Sequence, residues 1–212
     1  MTSDPASKLA LLDVDGTLTE VTSIWQYLLE ACGRWQPGGE VNLARFQAGR
    51  ISYEEFCDLD AGLLAGESYA RLSRTAAGVP LRQGVEALFC HLSASGYRIA
   101  LISTGLRLLT NHLAMRFPVD LCVANDLAAD GDLCTGAAVI EIGENEKGKH
   151  AQRAIELFRA DHVIAVGDSV GDLPMFALAD RSFAVGQADQ RVVASADAHI
   201  ADSDLSAICT LL

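Results

Sequence analysis

Short apolar runs alternate with amphipathic stretches along most of the 212-residue chain. Five runs are compact, rich in Leu, Val, Ile and Ala, and bounded by polar or turn residues: Leu9–Asp13, Arg98–Ser103, Leu121–Ala124, His162–Gly167 and Ser182–Val185. They predict strands. Between and after them, Val85–Ser95, Leu106–Met115, Lys149–Phe158, Asp172–Ala179 and Gln190–Ser195 carry the helical pattern. Apolar strands separated by helices predict a mostly parallel sheet covered on both faces. The expected class is α/β, with a three-layer Rossmann-like core. In AADGDLCTG, residues 128–136, the Asp-Gly pair predicts a hairpin tip.

The alternation breaks between residues 20 and 80. TSIWQYLLEACGRW, VNLARFQAG, SYEEFCDLDAGLL and ESYARLSRTAAG all look helical, with Gly or Pro punctuation between them. Ser52 and Glu55 have the spacing of a capping box. The expected organisation is a catalytic core from residues 1–20 and 81–212, with a small helical cap, residues 21–80, inserted after the first strand.

Composition narrows the class. Half the residues are hydrophobic and 21% are charged, which is globular rather than disordered. No apolar run is long enough to span a membrane. MTSDPASK has no basic segment followed by an apolar stretch, so no secretory signal is expected there. Six scattered cysteines without a CxxC read as small buried hydrophobes in a reducing cytoplasm. The net charge of −12, with no basic cluster, argues against a nucleic-acid partner. An anionic substrate would therefore need local positive charge from a metal, a lysine or helix N-termini.

In open parallel α/β sheets, sites form beyond the carboxyl ends of the strands. Four polar features fall there: Asp13 and Asp15 after the first strand, Ser103 and Thr104 after the second, Lys147 and Lys149 in a loop before a helix, and Asp168 and Asp172 after the fourth. Carboxylates gathered at one edge repel unless a divalent cation sits among them, and all-oxygen ligation favours Mg²⁺. A metal, a lysine and a hydroxyl can hold a phosphate. One carboxylate can then attack phosphorus while a second moves the proton. Competing motifs fail. GENEKGKH, residues 143–150, nearly matches a nucleotide phosphate loop, but His150 replaces the Mg²⁺-binding Ser or Thr, and Glu144 and Glu146 add negative charge. No GxGxxG, zinc-ligand spacing or GxSxG elbow is present.

DVDGT (13–17), LIST (101–104), a downstream lysine and GDSVGD (167–172) resemble, in order, the four motifs of the haloacid dehalogenase superfamily. VANDLAADGDLCTG (123–136), a Lys-Gly pair and the inserted helical cap are similar to its phosphoserine-phosphatase branch. The resemblance implies a Mg²⁺-dependent phosphomonoesterase that hydrolyses a small phosphorylated metabolite through an aspartyl-phosphate. It implies Asp13 as nucleophile and Asp15 as general acid/base, the latter also giving a main-chain carbonyl to the metal. Ser103, with Thr104 beside it, would bind phosphate. Lys147 would pair with the nucleophile, with Lys149 as the alternative. Asp168 would bind Mg²⁺, and Asp172 would support the metal shell or Lys147.

The departures from the branch concern the substrate. Gly171 stands where asparagine is common, and Thr104 where glycine is common. A glutamate that holds the serine amine in the branch is replaced by Thr22, with Glu20 nearby, so both become substrate-binding candidates. Ungapped placement puts Asp58 or Asp60 where a cap arginine would hold the serine carboxylate; Arg45, Arg50 and Arg71 are the other candidates for that task. Acidic cap residues with Trp25 would suit phosphoethanolamine or phosphocholine through cation–π contact, whereas Trp25 packed in the cap core is the plainer reading. A phosphotransferase or mutase of the same superfamily, and a non-catalytic phosphometabolite-binding protein, are the remaining alternatives. No nucleic acid or membrane partner is expected, and the chain is expected to be a monomer or homodimer.

Overall fold

The computed structural model describes residues 7–202 and 204–212; the first six residues, part of the stretch read above for a targeting signal, lie outside them. Among the described residues, seven strands form one sheet: β1 Lys8–Leu12, β2 Tyr97–Leu106, β3 Leu121–Asp130, β4 Leu133–Val139, β5 His162–Gly167, β6 Arg181–Val185 and β7 Ala198–Ile200. Their order is β4-β3-β2-β1-β5-β6-β7, parallel except for β4, which returns antiparallel along β3. The helices are α1 Ile24–Ala31, α2 Glu40–Gln47, α3 Tyr53–Leu63, α4 Tyr69–Ala77, α5 Val85–Ala94, α6 Arg107–Arg116, α7 Lys147–Phe158, α8 Leu173–Phe176, α9 Gln190–Ser195 and α10 Ser206–Cys209.

Period-two geometry makes β1 the centre of a three-layer sandwich. Leu9 and Leu11 pack on one side with Ala151 and Ala154 of α7, Met175 and Phe176 of α8, and Val192 of α9. Ala10 and Leu12 pack on the other with Leu88 and Phe89 of α5, Leu113 of α6 and Ile208 of α10. Each fully buried leucine stabilises the fold by about 1.5–3 kcal/mol relative to an exposed one.

Several elements differ from the sequence reading. Strands β2 and β3 run on to Leu106 and Asp130, three and six residues past their expected ends. The helix expected from Lys149 begins at Lys147, because Gly143 and Glu146 close a turn just before it, so Lys147 lies in the first helical turn rather than a loop. The helix expected over 172–179 is a 3₁₀ turn, Val170–Asp172, followed by α8, whose start is fixed by Pro174. Strand β4 alternates exposed positions with buried Cys134 and half-buried Gly136 and Ala138 and lacks an apolar run, and β7 has only three residues. Neither leaves a strong pattern.

Helices α1 to α4 fill the segment between β1 and α5. Both connections to it run side by side: Thr19 and Leu81 form an antiparallel bridge, Glu20 N–H donates to Pro80 O, and Arg82 N–H donates to Leu18 O. The β3–β4 hairpin braces the far side through main-chain bonds of Gly66 and Glu67 with Cys134, and Asp132 accepts from Ser68 Oγ at 2.6 Å and Ala70 N–H at 2.8 Å. The Ser52–Glu55 capping box is formed at the start of α3.

Within this layer, Asp60 is buried and accepts one hydrogen bond from Asn42 Nδ2 at 2.8 Å. Burial pushes its carboxyl from the ordinary 3.8 up to about 6, against the pull of that bond. A raised acid favours the protonated fold, so stability falls as pH rises from about 4 to about 6, and the loss persists above. Asp60→Asn removes that loss. Urea unfolding should therefore show the variant more stable than wild type at pH 7 by up to about 3 kcal/mol and nearly equal to it near pH 3. A variant less stable at pH 7 contradicts this account.

Candidate active site

Leu12 pairs with Leu101 of β2 and with Val166 of β5. The ends of β1 and β5 are therefore level, with Asp13 and Asp168 just beyond them, and Ser103 stands beside them within β2, which continues to Leu106. Asp13 N–H still donates to Val166 O at 3.0 Å, which carries the ladder one residue past β1.

Lys147 joins these ends. Its Nζ lies 2.5 Å from Asp13 Oδ1 and 2.6 Å from Asp172 Oδ1, and all three side chains are buried. Asp172 Oδ2 accepts from Asp168 N–H at 3.0 Å, from Ser169 N–H at 2.8 Å and from Ser169 Oγ at 3.0 Å. Both Asp172 oxygens are thus committed to protein donors. Thr17 Oγ1 sits 2.9 Å from both Asp13 Oδ2 and Asp168 Oδ1. It has one proton and satisfies one carboxylate at a time. The Thr17 hydroxyl thus bridges two acids. Burial first, then the charge of Asp172, pushes the Asp13 carboxyl up against the pull of Lys147; Asp168 is raised by the same two causes. The paired carboxylates hold the Lys147 ammonium protonated despite its burial.

The loop after β1 is held from both sides. Gly16 has φ +77°, and a Cβ there would lie 2.5 Å from Asp168 Oδ2, so no larger residue fits. Arg82 donates to Gly16 O through Nε at 3.0 Å and Nη2 at 2.7 Å. Asp15 Oδ2 accepts the N–H of Ile24, the first residue of α1, at 2.9 Å. Its Oδ1 is buried and has no hydrogen-bond partner. Burial pushes Asp15 up to about 7. Gly105 makes room for this carboxyl, since a Cβ there would stand 2.6 Å from Asp15 Oδ2.

These residues fit a hard divalent cation. Asp13 and Asp168 each offer an oxygen, and an oxygen of Asp172, already committed to protein donors, lies within 4.8 Å of both. One lysine serves the group, a single hydroxyl separates two of its carboxylates, and every donor atom is oxygen. That donor set matches Mg²⁺.

Above the acids opens a cleft of about 270 Å³ lined by Asp13, Asp15, Thr22, Ser23, Trp25, Tyr53, Phe56, Cys57, Thr104, Gly105, Lys147, Asp168 and Ser169. Sites for drug-sized ligands run from about 300 Å³ upward, so this one suits a small ligand. The structure therefore gathers Asp13, Asp15, Lys147, Asp168, Thr22 and Thr104. Ser103 is buried within β2, where its Oγ accepts Gly105 N–H at 2.9 Å.

Other expected site residues lie elsewhere. Glu20 is exposed and does not line the cleft, because its main chain turns away to pair with Pro80. Lys149 is at the surface on Glu146. Asp58 is exposed and accepts Ala138 N–H of β4, Asp60 is spent on Asn42, and Arg71 pairs with Glu67; none of these, nor Arg45 or Arg50, lines the cleft. Neither the acidic cap pocket nor a cap arginine is present among the described lining residues. Trp25 is nearly buried yet reaches the cleft. Tyr53, Phe56 and Cys57 were not anticipated. Their i, i+3, i+4 spacing in the first turns of the capped helix is the signal that could have placed them on one face.

A family model described as haloacid dehalogenase-like hydrolase matches residues 10–177. A phosphoserine phosphatase of Archaeoglobus fulgidus is 26% identical over 210 residues, covering 97% of this chain and 60% of that protein, so the chain spans little more than half of that relative. A phosphoserine phosphatase of Halobacterium salinarum is 30% identical over 184 residues, covering 84% of this chain and 85% of that protein. A solved structure of a phospho-aspartyl intermediate analogue of phosphoserine phosphatase superposes with a TM-score of 0.82 at 24% identity, covering 98% of this chain and 99% of that one. The chain belongs to the haloacid dehalogenase-like hydrolases, and its relatives support a phosphatase.

Proposed function

We propose that the chain is a Mg²⁺-dependent phosphomonoesterase that hydrolyses a small phosphorylated metabolite through a phosphoryl group carried on Asp13. The carrying observation is the pair of unlike aspartates at the cleft floor. Asp13 is fixed by Lys147, whereas Asp15 Oδ1 is buried and unpartnered beside it.

In the first half-reaction an Asp13 oxygen bonds to phosphorus and the ester P–O bond breaks. Asp15 gives its proton to the departing alcohol oxygen. In the second, Asp15 takes a proton from water, the water oxygen bonds to phosphorus, and the Asp13–phosphorus bond breaks to release phosphate. Lys147 keeps Asp13 oriented and offsets charge on the transferred group. Ser103, whose Oγ accepts Gly105 N–H and so keeps its own proton for donation, would hold a remaining phosphate oxygen. Asp13 and Asp168 would hold Mg²⁺, with the Asp15 main-chain carbonyl; when bound, the ion would offset negative charge on the phosphoryl oxygens. Asp172 is saturated by Lys147 and the Asp168–Ser169 loop, so its role is to position them.

Two measurements test this reading. Phosphate release from 4-nitrophenyl phosphate should require Mg²⁺ and stop on chelation. Mg²⁺ with beryllium fluoride, a phosphate mimic that bonds carboxylates, should raise Tm by about 5–10 °C at ~100-fold excess over Kd. Neither additive alone should match it. No turnover and no shift would leave the phosphometabolite-binding alternative in its place.

A further inference from the structure

The floor of the cleft is charged and its cap-side wall is not. Thr22 and Ser23 supply hydroxyls, and Trp25, Tyr53, Phe56 and Cys57 supply rings and a thiol. Resting on the phosphatase reading above, we propose that this wall selects a phosphomonoester whose leaving alcohol is uncharged and carries an aromatic or broad apolar group, rather than an amino acid or amino alcohol.

The polar ends of the wall are already used. The Thr104 carbonyl accepts from Trp25 Nε1 at 3.4 Å, from Tyr53 Oη at 3.1 Å and from Asn125 Nδ2 at 3.1 Å. Tyr53 Oη also accepts from Asn125 Nδ2 at 2.9 Å. Asn125 is itself fixed, because its Oδ1 accepts the N–H groups of Glu141 and Ile142, each at 2.9 Å. The tyrosine hydroxyl and the indole N–H are therefore spent on the protein, which leaves their rings for a ligand. Burial pushes the Cys57 thiol up to about 12, so it is neutral. Phe56 is backed by Phe46, stacked at 5.0 Å with 4° between the planes, so the wall is held in place before a ligand arrives.

This wall excludes charged leaving groups. A carboxylate would enter among rings with no cation beside it, and a buried unpaired charge is strongly disfavoured. An ammonium would find no acidic side chain on the cap side, since Asp58 and Asp60 are engaged elsewhere. An apolar group gains ring contacts with three aromatic side chains.

The test uses esters with matched alkyl linkages, so that leaving-group reactivity does not decide the result. The set is 2-phenylethyl phosphate, propyl phosphate, phosphoserine, phosphoethanolamine and phosphocholine, each with wild-type protein and Mg²⁺. The kcat/KM for 2-phenylethyl phosphate should exceed that for phosphoserine by about 100-fold, mostly through KM, on the scale of discrimination against a group the site cannot pair. Calorimetry with inert phosphonates gives a reading without turnover: 3-phenylpropylphosphonate should bind more tightly than 2-amino-4-phosphonobutanoate. Phe56→Ala should lower the ratio of 2-phenylethyl to propyl phosphate at least about 5-fold, and Phe56→Leu, which keeps apolar bulk against Phe46, about 2-fold. Phosphoserine or phosphoethanolamine as the best ester overturns the proposal and leaves the phosphatase reading intact. Preference for phosphocholine overturns it in favour of an aromatic cage for a cation. An unchanged ratio in both Phe56 variants overturns the assignment of the wall. Absence of turnover on every ester overturns the phosphatase reading and this proposal together.

Discussion

Asp13→Asn is expected to lower turnover by about 10⁴-fold or more while the protein stays folded. An amide oxygen does not displace an alcohol from phosphorus, and no neighbouring carboxylate can take over. Asp172 is tied by four contacts and Asp168 by Thr17, and Asp15 leans on the α1 N-terminus. Stability should behave differently. Asparagine keeps an oxygen for Lys147 and supplies an N–H₂ toward Thr17 and Asp168, where wild type sets two carboxylates around one hydroxyl proton. Removing one charge from a buried group with a single ammonium relieves repulsion, so metal-free stability should be unchanged or higher by up to about 1 kcal/mol. Retained activity would refute the nucleophile. A fall of several kcal/mol in metal-free urea unfolding would refute the electrostatic account. Failure of Mg²⁺ and beryllium fluoride to raise the variant's Tm should accompany the loss of activity, since the bond to the carboxylate cannot form.

The core and its acids were legible because their signals are local. An apolar run ending in Asp13, Ser103 or Asp168 marks both a buried strand and the edge where it emerges, and parallel pairing brings such edges together. The two lysines were ambiguous in sequence because they are two residues apart near a helix start. The turn closed by Glu146 starts the helix at Lys147 and leaves Lys149 at the surface. The substrate wall was hidden for a different reason. Which turn of α3 meets the cleft depends on how the whole helix docks, and one of its tethers, Asn125 on Tyr53, is 72 residues away in sequence. Asp60 lies one turn beyond Phe56 on the same stripe of α3 but is buried on Asn42, and Asp58 lies on another face, where it accepts Ala138 N–H, so neither placed acid reaches the cleft. Arg82, which fixes Gly16 from 66 residues away, left no trace in the motif it supports.

Lys147→Met carries the largest expected effect on stability. The side chain is 4% exposed and its ammonium is the cation shared by Asp13 and Asp172, with Asp168 close by. Methionine fills similar space without charge, so the loss is electrostatic rather than a cavity. Breaking a buried pair by deleting one partner costs about 3–5 kcal/mol because the remaining charges are left uncompensated. Here the remaining charges are negative and adjacent. The metal-free variant can relieve them only by keeping protons that the unfolded chain has lost. Its folded carboxyls then lie further above their ordinary values, and stability must rise as pH falls. The deficit against wild type should be near its full size at pH 8 and much smaller at pH 5. Adding Asp172→Asn should recover a large part of it, giving a coupling energy well outside additivity, because the second change removes one of the stranded charges. Lys149→Met, two residues along the same helix but paired only with exposed Glu146, should change stability by less than about 0.5 kcal/mol at either pH. If Lys147→Met unfolds in urea like wild type at pH 8, the buried ammonium is not what holds these acids together, and the metal-free site must retain protons on them already.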